Sequence, residues 1–296
     1  MADPPPTMSK AMPCRIPFRA MSFTLRPRRL PVGMRRQSRR WIPAEEPMQS
    51  CHCRLTSLMP GACMPMNDDT RQLAVLGLAV ITAFGVFAIW PGIDLAISSL
   101  FYDPATGFAA IDQGPANALR LAIWRASEAM LAAAIVAVIV GWVTGGNPLT
   151  VPRRVWGYIV ALYLLGPGLL ADVILKPFWG RARPEDVAEF GGQLLFTPPH
   201  RIAGQCSRNC SFVAGEMAGA VALAVALTLI LHALRERIPT RYFRLTGMAI
   251  LLLPLYAGFQ RIAAGRHFLS DVIFATLVVL MVAVALRALM LRRGKD

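Results

Sequence analysis

"RIAAGRHFLSDVIFATLVVLMVAVALRAL", residues 261–289, joins two kinds of sequence without a break. From Phe268 onward it is apolar over about 20 residues, the length that crosses the hydrocarbon core of a bilayer. At its start stand Arg261, His267 and Asp271. His267 and Asp271 are at i and i+4, so they share one face of the helix that begins there. A spanning segment that opens on a fixed cation, an imidazole and a carboxylate puts reactive groups at a membrane surface.

The apolar half of that pattern recurs along the chain. Spans are expected at residues 73–90, 129–143, 155–175, 212–233, 245–264 and 268–289, the second extending into Ser127-Glu128. With 55% hydrophobic residues and a mean hydropathy of +0.48, the 296-residue chain is too apolar for an ordinary soluble domain. The expected fold is all-α, a bundle of six transmembrane helices. The formal charge of +14 would suit nucleic acid on its face value, but the arginines lie beside the apolar runs, as in membrane topology. No nucleic-acid partner is expected. The partner surface is the bilayer.

Residues 1–65 differ from the rest. They hold 11 of the 23 prolines and 11 of the 31 Lys+Arg, and no apolar run long enough to span. They read as a disordered basic extension, with two readings open. Either Met66, which begins "MNDDTRQLAVLGLAV", is the natural start, or the segment is a cytoplasmic arm touching anionic lipid. Residues 66–296 are the membrane domain.

The short connections 144–154 and 234–244 are rich in arginine and are expected in the cytoplasm, with both termini. The long connections 91–128 and 176–211 carry Asp94, Asp103, Asp112, Glu185, Asp186 and Glu189 and face outward. Within the first, "DLAISSLFYDPATGF" (94–108) reads as an interfacial helix followed by a turn at Asp103-Pro104. Trp90, Trp124, Trp142 and Trp179 read as interfacial belt residues. Alternating helix direction places Lys176, Glu216, Arg261 and His267 on the same outer face.

That face has the residue types phosphoryl transfer needs. The charge of the transferred group spreads over three oxygens, and the protein's task is to neutralise and position it. Lys176 is a point cation, while Arg183 and Arg261 offer planar forks that match phosphate oxygens. Gly215, in "SFVAGE" (211–216), lets backbone approach an oxyanion closely. Asp271 is expected to take the proton of one ring nitrogen and aim the other at phosphorus, making His267 a covalent nucleophile. No metal or other cofactor is called for. Asp172 is expected to pair with a loop arginine. His200 reads as a loop residue, with Arg201 and Arg208 drawing in anionic substrate. Arg266 reads as a headgroup anchor. Cys206 and Cys210 are either a disulfide or two free thiols, a matter for geometry.

These spacings resemble the type 2 phosphatidic acid phosphatase superfamily, which includes the vanadium haloperoxidases, over about residues 70–290. The family pattern runs K-x6-RP, PSGH, then SR-x5-H-x3-D. Lys176, Arg183 and Pro184 complete the first part. Arg261, His267 and Asp271 complete the third, with Gln260 where serine is usual. The resemblance implies a phosphohistidine at His267 supported by Asp271, and phosphate held by Lys176, Arg183 and Arg261. The middle part departs: Ala214 stands for the phosphate-binding serine, and Glu216 for the histidine that protonates the leaving group. A buried Glu216 with a raised pKa is one route to that proton, although the nearby cations oppose the shift; a leaving group that needs less help is another.

The "CSF-x-x-GE" variant resembles the branch of bacterial lipid A phosphatases. It implies a phosphate monoester removed from lipid A or a related lipid phosphate, with the site on the periplasmic face of the inner membrane. Three alternatives stay open: a lipid phosphotransferase, a phosphatase for phosphatidylglycerophosphate or undecaprenyl pyrophosphate, and a non-catalytic phospholipid-binding protein with a degenerate site.

Overall fold

The computed structural model describes residues 68–109, 113–207 and 209–291. The extension at 1–65 and the start at Met66 lie outside these, as do Arg208 and Asp112.

Among the described residues the fold is all-α apart from one short hairpin, and six helical segments are long and apolar enough to cross a membrane. Helix α1 (Asp68–Ile89) is followed by the short α2 (Gly92–Ser99) and the antiparallel strands β1 (Tyr102–Asp103) and β2 (Gly107–Phe108). Helix α3 (Gly114–Thr144) follows. Helix α4 (Arg153–Tyr163) continues as a π-helix through Leu164–Leu175 into α5 (Lys176–Trp179). Then come α6 (Gly215–Ala233), α7 (Thr240–Ala263) and α8 (Leu269–Leu286), the last ending in a π-helical turn to Leu291.

Helix α6 is the central element and packs against α3, α4, α7 and α8. Its sequence explains that position. Gly215, Ala218, Gly219, Ala220, Ala222, Ala224 and Ala226 are all buried, and small side chains let helix backbones approach closely where water supplies no driving force. Polar links add to the packing: Ser127 donates to the Gly219 carbonyl at 3.0 Å, and Tyr158 to that of Ala283 at 2.8 Å. Helix α1 packs chiefly on α8, where Arg287 donates to the buried Asp69. The outer faces of α1, α3 and α7 expose Val75, Leu78, Ile81, Val136, Ile139, Leu251 and Leu255, as lipid-facing surface requires.

Three departures from the sequence-based expectation matter for the site. Helix α3 begins at Gly114, not near residue 127, so much of the expected long loop is helix. Arg120, Arg125 and Glu128 dilute its hydropathy, yet Pro115 in the first turn is a helix-start signal. Segment 155–175 is expected to be one α-helix, but it winds wider from Leu164. Pro167 lacks an N–H, so the i→i−4 ladder cannot run through it. Helix α6 begins at Gly215, not Phe212, which leaves Ser211–Ala214 as buried non-helical chain. The expected interfacial helix and turn correspond to α2 and the hairpin, where the Asp103 carboxylate accepts the backbone N–H of Ala105 and Thr106.

Candidate active site

Helix ends that the chain separates by more than a hundred residues meet at one end of the bundle. They enclose a cavity of about 360 Å³ lined by Arg120, Trp124, Lys176, Arg183, Asn209, Glu216, Arg261, Arg266 and His267. The three motif cations and the histidine are therefore brought together. A larger groove of about 530 Å³ lies between α1 and α8, lined by Val75, Leu76, Leu280 and Val284 among others. It holds no nucleophile and reads as a crease in the lipid-facing surface.

His267 sits in the α7–α8 connection, 6% exposed. The turn that carries it needs Gly265, whose φ is +67° and where a Cβ would sit 2.4 Å from the Phe108 ring. His267 Nδ1 lies 2.7 Å from the carbonyl oxygen of Ser211, so Nδ1 carries the proton and Nε2 keeps its lone pair. Asp271 Oδ2 is 3.8 Å from Nδ1, too far for a hydrogen bond. This corrects the expectation that Asp271 takes the ring proton. The Ser211 carbonyl fixes the tautomer, and Asp271 acts on the ring through its charge. Burial pushes the His267 pKa below its ordinary value. Asp271 opposes that shift, while Lys176 and Arg183 add to it. The lowered pKa favours the neutral imidazole.

Asp271 is itself held on all sides. Its Oδ1 accepts from Arg181 Nη1 at 2.5 Å, and its Oδ2 from Ser211 Oγ at 2.5 Å and from the Phe268 N–H at 2.8 Å. Arg181 is fully buried and also donates to Asp94 Oδ2 at 2.8 Å, to Ser270 Oγ and to the Thr197 carbonyl. Its guanidinium lies 4.4 Å from the Phe268 ring centroid. Asp94, at the start of α2, accepts from Ser270 as well. Burial raises its pKa against the Arg181 charge, and Asp271 adds to the rise. Asp94, Arg181, Ser211 and Ser270 are absent from the sequence-based site. The one available signal was Arg181 itself, a second arginine inside "GRARP".

The cations are anchored individually. Lys176 Nζ pairs with Asp172 Oδ1 at 2.7 Å, one helical turn back, so Asp172 does not pair with a loop arginine as expected. Arg183 Nη2 donates to the Asn209 carbonyl at 2.9 Å. Arg261 Nε donates to Gln260 Oε1 at 2.6 Å. Arg266 pairs with Glu185, which is a tighter tie than a headgroup anchor needs.

Gly215 is required by close approach, but of a different partner from the one expected. A Cβ there would lie 2.4 Å from Lys176 Nζ and 2.7 Å from Asp172 Oδ1. Ala214 is fully buried, and its N–H points to the Asp271 carbonyl at 3.3 Å, which ties α6 to α8. That N–H is therefore spent within the protein and not offered to phosphate. Glu216 Oε1 accepts from Arg120 Nη1 at 2.8 Å and lies 3.4 Å from Arg261 Nη1.

Cys206 and Cys210 form a disulfide one residue before Ser211. Trp179 donates to the Pro199 carbonyl at 2.7 Å and packs on Phe212, and Trp124 lines the cavity, so neither belongs to an exposed belt. Trp90 and Trp142 are exposed at the ends of their helices. His200 and Arg201 are exposed in a turn and do not line the cavity.

Known proteins share this arrangement of sequence. The PAP2 superfamily pattern matches residues 154–295. A lipid A 4'-phosphatase of Rhizobium leguminosarum is 32% identical over 217 residues, covering 69% of this chain and 90% of the relative. A lipid A 4'-phosphatase of Rhizobium etli is 32% identical over 223 residues, covering 81% of its length. One from Francisella tularensis subsp. novicida is 33% identical over 142 residues; the chain spans 60% of that relative's length and the match takes in 48% of the chain. A crystal structure of a PAP2-type phosphatidylglycerolphosphate phosphatase from Bacillus subtilis aligns with 75% of the chain and 98% of its own, at 15% identity and a TM-score of 0.47. With two relatives matched at this identity over most of their length, and the histidine and three cations of the motifs gathered at one cavity, the chain belongs to the PAP2 superfamily.

Proposed function

We propose that the protein is a multi-pass membrane lipid phosphatase that removes a phosphate monoester from lipid A or a closely related lipid phosphate. The observation that carries this is His267, with its Nδ1 proton on the Ser211 carbonyl, in a cavity ringed by Lys176, Arg183 and Arg261. The named relatives support lipid A, and its 4'-phosphate, as the substrate to test first.

In this reading Nε2 of His267 attacks phosphorus and forms a phosphohistidine. Lys176, Arg183 and Arg261 neutralise the charge spread over the three equatorial oxygens. The Asp271 carboxylate stabilises the positive ring that forms. Water then hydrolyses the phosphorus–nitrogen bond and frees the histidine. The roles of these residues and the metal-independence of the chemistry are part of the proposal. So is the topology. The connections at 144–154 and 234–244, with Arg153, Arg154, Arg235, Arg237, Arg241 and Arg244, lie in the cytoplasm, and the cavity opens at the periplasmic surface of the inner membrane, where lipid phosphate groups sit.

The test is phosphate release from purified lipid A by the protein in detergent micelles, with phosphatidylglycerophosphate and undecaprenyl pyrophosphate as competing substrates. Acid-labile, alkali-stable label should appear on the wild type with radioactive substrate and be absent in His267→Ala. Full activity in that variant, or no cleavage of any of the three lipids by the wild type, would overturn the reading.

A further inference from the structure

One wall of the cavity comes from none of the three sequence motifs. Helix α3 brings Arg120 to it, with Trp124 one turn further on. Arg120 is 18% exposed and is positioned from two sides: Nε donates to Asn117 Oδ1 at 2.8 Å, and Nη1 to Glu216 Oε1 at 2.8 Å. Its Nη2 has no partner among the described residues.

Glu216 occupies the place of the motif's protonating histidine, yet its Oε1 is the shared acceptor for Arg120 and Arg261. A carboxylate between two guanidinium groups is well placed to orient them. Arg261 belongs to the set already assigned to the phosphate oxygens. Arg120 is a further cation, brought by α3, and unlike Arg266 it shares its carboxylate with Arg261.

We infer that Arg120, positioned by Glu216, stabilises the charge on the oxygen that leaves phosphorus, an inference that rests on the phosphatase reading above. The bond from His267 Nε2 to phosphorus forms, the bond from phosphorus to the alcohol oxygen breaks, and the electron pair stays on that oxygen. Arg120 Nη2 donates to it. The oxygen takes its proton from a water molecule, and the hydroxide left behind attacks the phosphohistidine. The cycle closes as ester plus water giving alcohol plus phosphate, with His267 neutral again. The substrate class that needs this help is the phosphate monoester of an aliphatic or sugar alcohol. An aryl ester, whose phenolate is stable by itself, needs little of it.

The experiment uses the full chain in detergent with two substrates, lipid A and 4-nitrophenyl phosphate. The variants are Arg120→Ala, Arg120→Lys and Glu216→Gln, each checked for thermal melting. Losing one preorganised donor to developing charge costs about 10²-fold in kcat or more. Arg120→Ala is expected to lose that much on lipid A and under tenfold on the aryl ester, with Arg120→Lys recovering part of the loss. Glu216→Gln retains an oxygen for Arg120 but removes the charge that holds it, and is expected to lose activity on lipid A more than on the aryl ester, by less than Arg120→Ala does. Equal losses on both substrates would overturn the inference, as would an inactive Glu216→Gln beside a near-normal Arg120→Ala, the mark of Glu216 as the acid. A wild type that cleaves neither substrate, by contrast, refutes the phosphatase reading itself.

Discussion

Asp271→Asn separates the two groups that act on His267, the nucleophile of the proposed mechanism. The Ser211 carbonyl holds the ring by a 2.7 Å contact that the substitution leaves alone, whereas the Asp271 charge at 3.8 Å is removed. At an effective dielectric of about 20, a unit charge at that distance stabilises the positive ring by about 4 kcal/mol, or about 10³-fold in rate. Arg181 retains Asp94 as a buried counterion, so the fold is expected to survive. The pH profile should move as well. Burial holds the His267 pKa below its ordinary value and Asp271 opposes that, so removing Asp271 lowers it further. Activity requires the neutral ring, and the acid limb of kcat/KM reports the free enzyme. The variant is therefore slower by about 10²- to 10³-fold, with an acid limb displaced to lower pH. The assay is phosphate release from lipid A in micelles at graded pH, beside thermal melting. A folded variant with the wild-type kcat, or with its acid limb moved to higher pH, would refute the reasoning.

Gly215→Ala places a Cβ 2.4 Å from Lys176 Nζ; the flexible lysine end moves rather than the backbone. Kinetics should then show kcat/KM down by about 10²-fold, as a displacement near 1 Å produces, with melting little changed. Replacing Cys206 and Cys210 together by serine removes a short cross-link, worth about 2 kcal/mol by loop closure. The double variant should melt about 4–8 °C lower and no longer respond to reductant, which differential scanning with and without dithiothreitol reads directly.

The six spans were legible because an apolar run of sufficient length has few alternatives in any fold. Their ends were less so. The first four turns of α3 carry Arg120, Arg125, Ser127 and Glu128, and hydropathy alone reads such a stretch as loop. Arg120 was missed for that reason: what makes it a site residue is Glu216, 96 positions away. The motif residues Lys176, Arg183, Arg261 and His267 were found from spacing, and they share one cavity. Asp271 was found too, but with the wrong contact, since its carboxylate is engaged by Arg181, Ser211 and Phe268. No spacing rule announces a backbone carbonyl such as that of Ser211 as the partner of the histidine.

By itself the sequence determined the helical class, the order of the spans and the residue types at one end of them. Those properties are local, written in hydropathy and in intervals of a few residues. Tertiary structure alone decided which groups stand against which. It set Asp94 and Asp271, 177 residues apart in number, on the two arms of one buried guanidinium, and Glu216 between arginines of α3 and α7. Pairings of that kind follow from how α3, α4, α7 and α8 pack around the small residues of α6. Packing depends on shapes that no single stretch of the chain contains.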